Sequence, residues 1–265
     1  MKKPLIILTG PTAVGKTKLS ISLAQAVNGA IISADSMQVY RHMDIGSAKI
    51  RPEEMCGVPH YLIDVLDPSE EFHVVKFVEL AHEAMEKIYA AGQIPIVTGG
   101  TGFYIQALLK EVDFTESHGE LPIRKQLEEK AATEEGAAEL YRELSEVDPA
   151  SAETIHPNNV KRVIRALEYY HETGQKISEH NEEQKQKESP YCSAYFVLND
   201  ERSILYDRID RRVDQMICDG LVDEVFRLKE MGYTRDLVSM QGLGYKELFP
   251  YLAGECTLEE AVYIC

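Results

Sequence analysis

Residues 6–20, "IILTGPTAVGKTKLS", decide the fold class of this 265-residue chain. An apolar run leads into a loop that carries Gly10 and Gly15, and an amphipathic segment begins at Lys16. The loop fits the pattern G-x-x-x-x-G-K-[ST] between a predicted strand and a predicted helix, which is the setting in which this pattern is specific. Backbone N–H groups of such a loop surround an anion, and the helix N-terminus adds the positive end of its dipole. We therefore predict a phosphate-binding loop made of Gly10, Pro11, Thr12, Ala13, Val14, Gly15, Lys16 and Thr17, with Lys16 on the outer phosphate and the Thr17 hydroxyl on Mg²⁺.

Alternating segments surround this loop. Predicted strands are "PLIILTG" (4–10), "AIISADS" (30–36), "YLIDVLD" (61–67) and "IPIVTGG" (94–100), and predicted helices are "KTKLSISLAQAV" (16–27) and "VVKFVELAHEAMEKIYAAG" (74–92). Strands that alternate with helices are typical of βαβ units. We predict an α/β fold, with a parallel sheet core like that of P-loop NTPases and helices on both of its faces.

The pattern changes near residue 113. From there to residue 189 the sequence is charged and helical, after which "YCSAYFVLND" (191–200) predicts another strand and long helical sequence follows. We therefore predict a first part of the core at 1–114, a helical insertion at 115–189, and a resumed core with C-terminal helices at 190–265. The polar stretch "EHNEEQKQKESP" (179–190) predicts a loop or linker.

Composition limits the class of protein. The chain is 44% hydrophobic and 27% charged, and the apolar run near its N-terminus is too short to span a membrane. Five cysteines without a C-x-x-C pair favour reduced thiols, so we expect a cytoplasmic protein with no membrane contact. A net charge of −16 argues against nonspecific nucleic-acid binding. This net charge does not exclude a protein whose basic residues are confined to one cleft.

The loop pattern does not identify the ligand that carries the phosphate. The chain has no N-K-x-D segment of the kind that reads guanine, which argues against a GTPase. The strand "IPIVTGG" ends in threonine and glycine instead of the acid of a Walker B strand, which argues against an ATP-driven motor. A small P-loop kinase stays open, because such enzymes often carry an acid after the second strand.

Asp35 follows the second predicted strand, at the sheet edge where ligands of parallel sheets bind. A carboxylate there can accept a proton from a nucleophile or help to hold Mg²⁺. Ser36 and Gln38 follow it and are suited to reading the edge of a base. The alternative is that Asp35 only caps a turn.

Longer motifs carry a family resemblance. They are "GPTAVGKT" (10–17), "ADSMQVYRHMDIGSAK" (34–49), "VPHYLIDVLDP" (58–68), "GGTGFYIQALL" (99–109), "IHPNNVKRVIRALEYY" (155–170), "RIDRRVDQMICDGLVDEV" (208–225) and "SMQGLGYKEL" (239–248). Over nearly the whole chain the sequence resembles the tRNA dimethylallyltransferase family. Its members transfer a dimethylallyl group from dimethylallyl diphosphate to N6 of an adenosine beside the anticodon.

The resemblance implies roles for single residues. The loop would hold a pyrophosphate leaving group with no nucleotide required, and Lys16, the loop amides and a Thr17-bound Mg²⁺ would stabilise its charge. Asp35 would act as the base and Arg212 as a pyrophosphate ligand, unless Arg208 and Arg212 pair with the neighbouring Asp207, Asp210 and Asp214. Thr101 would contact the diphosphate or the reacting amine, or else cap a helix.

The resemblance also implies a partner, the anticodon stem-loop of tRNA, whose target base must leave the stack to react. The implied contacts are Asp35, Ser36, Met37, Gln38, Lys161, Arg162, Val163, Ile164, Arg165, Gln241, Gly242, Leu243, Gly244, Tyr245 and Lys246. Taken singly, the patches at 161–165 and 241–246 are more typical of a solvated helix face or a turn than of a binding site. The resemblance implies that they contact tRNA and that the helical insertion at 115–189 binds RNA. We expect a monomeric enzyme.

The C-terminus differs from the family pattern, and three alternative functions compete with the one that the resemblance implies. The chain stops at "EEAVYIC" (259–265), where family members continue into a basic stretch, so we expect a C-terminally shortened form. The rivals are a small-molecule kinase, a prenyltransferase of free adenine nucleotides and an RNA-binding protein without catalysis. The helical insertion favours tRNA over the first two, and the set of Lys16, Thr17, Asp35 and Thr101 argues against the third.

Overall fold

The structure, a computed structural model, describes residues 2–112 and 122–264. The chain divides into two compact units, one formed by Met1–Leu109 with Pro190–Cys265 and the other by Lys110–Ser189. The beginning of the predicted helical insertion, up to residue 121, lies outside the described residues. The helices in chain order are α1 (Lys16–Val27), α2 (Val74–Ala90), α3 (Gly102–Lys110), α4 (Pro122–Lys130), α5 (Glu134–Val147), α6 (Pro149–Thr154), α7 (Val160–Thr173), α8 (Ile177–Gln186), α9 (Arg202–Cys218), α10 (Leu221–Glu230), α11 (Tyr245–Leu252) and α12 (Leu258–Ile264).

The first unit is built on a five-stranded sheet in which every pairing is parallel. The strands are β1 (Lys3–Thr9), β2 (Gly29–Ser33), β3 (His60–Tyr61), β4 (Ile94–Gly99) and β5 (Tyr191–Val197), in the order β3-β2-β4-β1-β5. All five residues of β2 are buried, as expected for a central strand of a sheet that is covered on both faces. The predicted parallel α/β core is confirmed.

Successive residues of the central strands face different cores. Ile31 of β2 and Ile96 of β4 pack with Ala24 of α1, whereas Ile32 of β2 packs with Phe77 of α2 in the larger core. This separation follows from the two-residue period of a strand. On α2 the buried positions 77, 81, 84, 85 and 88 recur at helical spacing, which explains why this segment folds as a helix against the sheet.

The third predicted strand is much shorter than expected. "YLIDVLD" predicts a strand over 61–67, but β3 ends at Tyr61. Leu62 and Asp64 have φ angles of 63° and 56°, so the backbone leaves the extended conformation directly after the strand. The prediction of a strand over 62–67 is therefore wrong. Within residues 2–112 and 122–264, the strand pairing of 62–67 is limited to an isolated bridge between Tyr40 and Leu66.

The second unit is a cluster of helices α4 to α8 with a core of its own. Leu127, Leu140, Leu144, Val163 and Leu167 are its central buried side chains. The predicted loop at 179–190 is wrong for residues 179–186, which belong to α8. This helix has few apolar residues, but Ser178 in its first turn donates from its N–H and hydroxyl to the buried carboxylate of Asp148, at 3.0 and 2.6 Å. A contact 30 residues away thus anchors a segment whose composition alone predicts a loop.

Two further sequence-based expectations concern thiols and membranes. Cys56, Cys192, Cys218 and Cys256 are free in the described part of the chain. Among residues 2–112 and 122–264, no helix combines the length and the apolar character that crossing a membrane requires.

Candidate active site

The loop after β1 has the backbone geometry of an anion-binding turn. Gly10, Ala13 and Gly15 have φ angles of 152°, 63° and 97°, and α1 begins directly afterwards at Lys16. A Cβ on Gly10 would lie 2.5 Å from the carbonyl oxygen of Leu198, so only glycine fits where the loop passes the end of β5. The chain thereby presents the N-terminus of α1 at the carboxyl edge of the sheet, where ligands of such sheets bind.

Three of the predicted catalytic residues meet at this edge. The Lys16 ammonium donates to the carbonyl oxygens of Gly10 (2.9 Å) and Pro11 (2.7 Å). Burial lowers the pKa of Lys16, the carboxylate of Asp35 raises it in part, and the guanidinium of Arg212 lowers it further. Burial also lowers the pKa of Arg212, against the opposing effect of Asp35. The carboxylate of Asp35 thus interacts with two cations that burial partly deprives of water.

Asp35 is held in a turn just past the end of β2. Its Oδ1 accepts the N–H of Met37 at 2.8 Å and the N–H of Gln38 at 3.3 Å, which is the pattern of an Asx turn. Asp35 therefore does cap a turn, as the predicted alternative has it. It also lines an open cleft, so the two roles are compatible. The amide of Gln38 contacts Ser33 Oγ (3.2 Å) and the carbonyl of Ser47 (3.4 Å), so it helps to fix the following loop.

An open cleft of about 2030 Å³, solvent included, contains these residues. Its basic lining residues are Lys16, Lys49, Arg51, Arg208, Arg211 and Arg212, and its acidic ones are Asp35, Asp44, Glu54 and Asp219. Six cations against four carboxylates give a local excess of positive charge in a chain whose net charge is −16. Such a cleft concentrates field lines and attracts anions.

The arginines of α9 are not arranged as local ion pairs. In the described ranges 2–112 and 122–264, neither Arg208 nor Arg212 pairs with Asp207, Asp210 or Asp214. Arg208 instead pairs with Asp200 at 2.9 Å and donates weakly to the carbonyl of Ala13 at 3.5 Å. Because residues three or four apart share one face of a helix, the spacing of the basic residues on α9 could have predicted Arg211 as a further member of the cleft.

A smaller cavity of about 440 Å³ adjoins the loop. Lys16, Thr17 and Asp35 line it together with apolar side chains, among them Ile31, Ile50 and Ile63. Sequence reasoning missed Thr98, which lines this cavity and whose buried Oγ1 has no hydrogen-bond partner within the described part of the chain. The predicted residue Thr101 lines neither space and lies at the start of α3, where its carbonyl accepts the N–H of Tyr104 at 3.0 Å.

The oxygen donors at this site suit Mg²⁺. Thr17 and Asp35 line both the cleft and the smaller cavity. Within the described ranges, no group of three or more His, Cys, Asp or Glu side chains could hold a metal ion by itself. Mg²⁺ keeps several waters and is usually held by one or two carboxylates together with substrate phosphates. The residues present therefore fit a metal that arrives with a phosphate-bearing ligand.

The predicted RNA contacts at 161–165 divide into two groups. Lys161 and Arg162 are exposed in the first turn of α7. Val163 and Ile164 are only 1% and 5% exposed and belong to the core of the second unit, so their side chains have no surface to offer to RNA. Arg165 pairs with the buried Glu168 at 2.9 Å, which assigns it a structural contact.

The predicted contacts at 241–246 divide in the same way. Gln241, Leu243 and Lys246 are exposed. Tyr245 is fully buried, and its hydroxyl donates to Glu224 at 2.7 Å, so the prediction of an accessible side chain there is corrected. Gly242 is also buried, and a Cβ on it would lie 2.6 Å from Met37 Sδ, so this segment packs on the chain next to Asp35.

Comparisons with known proteins identify the family of this chain. A family model described as IPP transferase matches residues 38–265. A curated tRNA dimethylallyltransferase of Lachnoclostridium phytofermentans is 65% identical over 262 residues, which cover 99% of this chain and 83% of the relative.

Two solved structures are also similar to the chain. The full-length tRNA isopentenylpyrophosphate transferase of Bacillus halodurans is 46% identical, with a TM-score of 0.71 over 99% of this chain and 81% of that protein. A eukaryotic dimethylallyltransferase described as acting on tRNA is 36% identical, with a TM-score of 0.84 over 99% of this chain and 66% of that protein.

Proposed function

This chain belongs to the IPP transferase family and acts as a tRNA dimethylallyltransferase, and we propose that its basic cleft carries out the transfer. A dimethylallyl group passes from dimethylallyl diphosphate to N6 of the adenosine adjacent to the anticodon. The observation that carries this proposal is the meeting of Lys16, Asp35 and Arg212 in one cleft with an excess of cations. The family leaves the kinase alternative without support.

The donor's diphosphate occupies the loop between β1 and α1. As the bond between the allylic carbon and oxygen breaks, negative charge develops on the departing pyrophosphate. The ammonium of Lys16, the guanidinium of Arg212 and the N–H groups at the start of α1 stabilise this charge. Thr17 is the residue that would hold Mg²⁺, which would supply further charge neutralisation on the phosphates when it is bound.

The acceptor is a weak nucleophile, since the lone pair of the exocyclic amine is delocalised into the adenine ring. Asp35 accepts a proton from N6 while the new bond between nitrogen and carbon forms. The hydrogen bonds from Met37 and Gln38 fix the carboxylate in its turn, which orients it for this proton transfer.

The RNA is an anticodon stem-loop whose target base is flipped into the cleft. Exposed residues of the predicted contact segments, namely Lys161, Arg162, Gln241 and Lys246, are the side chains that reach phosphates and bases. The buried members Val163, Ile164 and Tyr245 support these segments from inside. The enzyme works as a monomer in the cytoplasm.

The test is a transfer assay with the protein, dimethylallyl diphosphate, Mg²⁺ and an anticodon stem-loop, read by mass spectrometry of the RNA. We expect one added prenyl unit, which disappears when the adenosine next to the anticodon is replaced. Adenosine monophosphate serves as a competing acceptor and distinguishes the nucleotide-prenylating alternative. An unchanged RNA, together with stronger thermal protection of the protein by ATP than by the donor, would replace this proposal with the kinase.

A further inference from the structure

One buried carboxylate joins three segments that are separate in the sequence. Glu224, in the first turn of α10, is only 2% exposed. Its Oε2 accepts the N–H groups of Asp44 (3.0 Å) and Ile45 (2.8 Å). Its Oε1 accepts the N–H of Gly46 (3.1 Å) and the hydroxyl of Tyr245 (2.7 Å). Four donors converge on a single side chain, and we call this arrangement the Glu224 clamp.

The Glu224 clamp connects two segments that line the basic cleft, and we call these segments its two walls. One wall comes from the loop after β2, which contributes Lys49 and Arg51, and the other comes from α9, which contributes Arg211 and Arg212. Helix α10 follows α9 after only two residues, so a bond from Glu224 to the loop ties the first wall to the helix pair that carries the second. Glu224 and Tyr245 do not themselves line the cleft.

The clamped loop has little freedom to absorb a change. A Cβ on Gly46 would lie 2.6 Å from the ring of Tyr245, so the turn rests directly on that ring. A few residues further on, the buried ammonium of Lys49 donates to the carbonyl of Tyr40 and to the carboxylates of Asp44 and Asp64. A displacement at Gly46 is therefore passed on to the cleft wall instead of being lost in a flexible segment.

We propose that Glu224 is a positioning residue that sets the spacing between these two walls and thereby the affinity of the cleft for a diphosphate. The inference rests on the proposed function, because it takes the diphosphate of the donor as the ligand of this cleft. It also gives Tyr245 a role that its burial allows, as the second member of the Glu224 clamp. Glu224 acts only through the loop and never touches the substrate.

Glu224→Gln is the most direct perturbation, since it keeps the shape of the side chain. It replaces one accepting oxygen by an amide NH₂, which must then face an N–H or O–H donor. Asp223→Asn is the matched control, because Asp223 is the preceding residue of α10, is exposed and loses the same charge. Tyr245→Phe removes a single hydrogen bond and serves as the milder second variant.

The experiment is calorimetric titration with inorganic pyrophosphate and with dimethylallyl diphosphate, in the presence of Mg²⁺ and without RNA. For Glu224→Gln we expect about a tenfold to hundredfold rise in Kd for both ligands, since misplacement of a binding group by about 1 Å has effects of this size. The binding stoichiometry should stay as in the wild type. Tyr245→Phe should raise Kd less, and Asp223→Asn should leave it unchanged.

A purely structural role for Glu224 predicts a different result. In that case Glu224→Gln has a lower binding stoichiometry and a lower melting temperature than the wild type, but the folded fraction binds both ligands with an unchanged Kd. That outcome overturns the proposal. If Glu224→Gln does not fold, an unchanged Kd for Tyr245→Phe overturns it equally. If the wild type prenylates RNA and Glu224→Gln has the same Kd values as Asp223→Asn, only the role of the Glu224 clamp is refuted. If the wild type binds neither pyrophosphate nor dimethylallyl diphosphate, the proposed function is refuted as well.

Discussion

Replacing Gly99 by alanine tests how closely the end of β4 holds Asp35 in place. Gly99 is the last residue of β4 and lies beside the end of β2. A Cβ on Gly99 would lie 2.4 Å from the carbonyl oxygen of Ala34, 2.5 Å from its carbonyl carbon and 2.9 Å from its Cα. All three atoms belong to the backbone, so no side-chain rotation can relieve the clash, and Ala34 directly precedes Asp35.

The size of the effect follows from these distances. Ordinary contacts of a Cβ begin near 3.4 Å, so Ala34 must move by about 1 Å relative to β4. The bond from the N–H of Ala34 to the carbonyl of Thr98 (2.8 Å) opposes this movement. Overpacking of this kind costs about 1–3 kcal/mol of stability. Since misplacement of a catalytic group by about 1 Å can cost about a hundredfold in rate, we expect a fall of that order in kcat for prenyl transfer.

Gly100→Ala is the matched control for Gly99→Ala. It makes the same chemical change one residue later, where a Cβ would meet no atom within 4 Å and the backbone is not in the left-handed region. The assay is kcat at saturating donor and RNA, with thermal unfolding measured in parallel. The reasoning is refuted if Gly99→Ala retains kcat within about twofold of the wild type, or if Gly100→Ala loses as much as Gly99→Ala.

Two further predictions concern the phosphate loop and the helical unit. Lys16→Ala should lower the transfer rate by about a hundredfold or more and weaken pyrophosphate binding. The control Lys18→Ala, on the exposed side of α1, should change neither quantity. Equal effects of the two variants on steady-state kinetics would contradict the role of Lys16. Asp148 accepts hydrogen bonds from Ser151 and Ser178. Burial raises the pKa of Asp148, but these bonds lower it by more, so its pKa lies below the usual value. The stability that the Asp148 carboxylate contributes is therefore present above about pH 4 and is lost as the pH falls further. Asp148→Ala should therefore lower the free energy of unfolding in urea by about 2–4 kcal/mol at pH 7, and a difference from the wild type that does not shrink below pH 4 would disprove this linkage.

Local sequence patterns are sufficient to predict the central part of the fold. The passage from β1 through the loop to α1 follows from an apolar run, two glycines and an amphipathic segment within residues 6–20. The parallel sheet follows from the alternation of strands and helices. The errors arise where non-local contacts or special backbone angles decide, as with the left-handed Leu62 after β3 and the bond from Ser178 to Asp148 at the start of α8.

The candidate site shows the same division. Lys16 and Asp35 can be predicted because each directly follows a buried strand or its loop. Lys49 and Arg51 were missed because they lie in an irregular loop that Glu224, more than 170 residues away, holds against the cleft. Tyr245 stands between glycines and lysine and thus resembles an exposed turn residue, yet its ring is covered by Gly46 of that same loop. No local pattern records this pairing.

The central claim is that the loop binds the leaving group while Asp35 acts on the acceptor. The most direct test is Asp35→Asn, which keeps an Oδ1 to accept the N–H groups of Met37 and Gln38 and so preserves the turn. Calorimetry should give a Kd for dimethylallyl diphosphate close to that of the wild type. Single-turnover transfer to the stem-loop should fall by about a hundredfold or more, because the proton acceptor is lost. If donor binding is lost together with transfer, Asp35 serves the metal and the diphosphate instead, and the division of roles between Lys16 and Asp35 is contradicted.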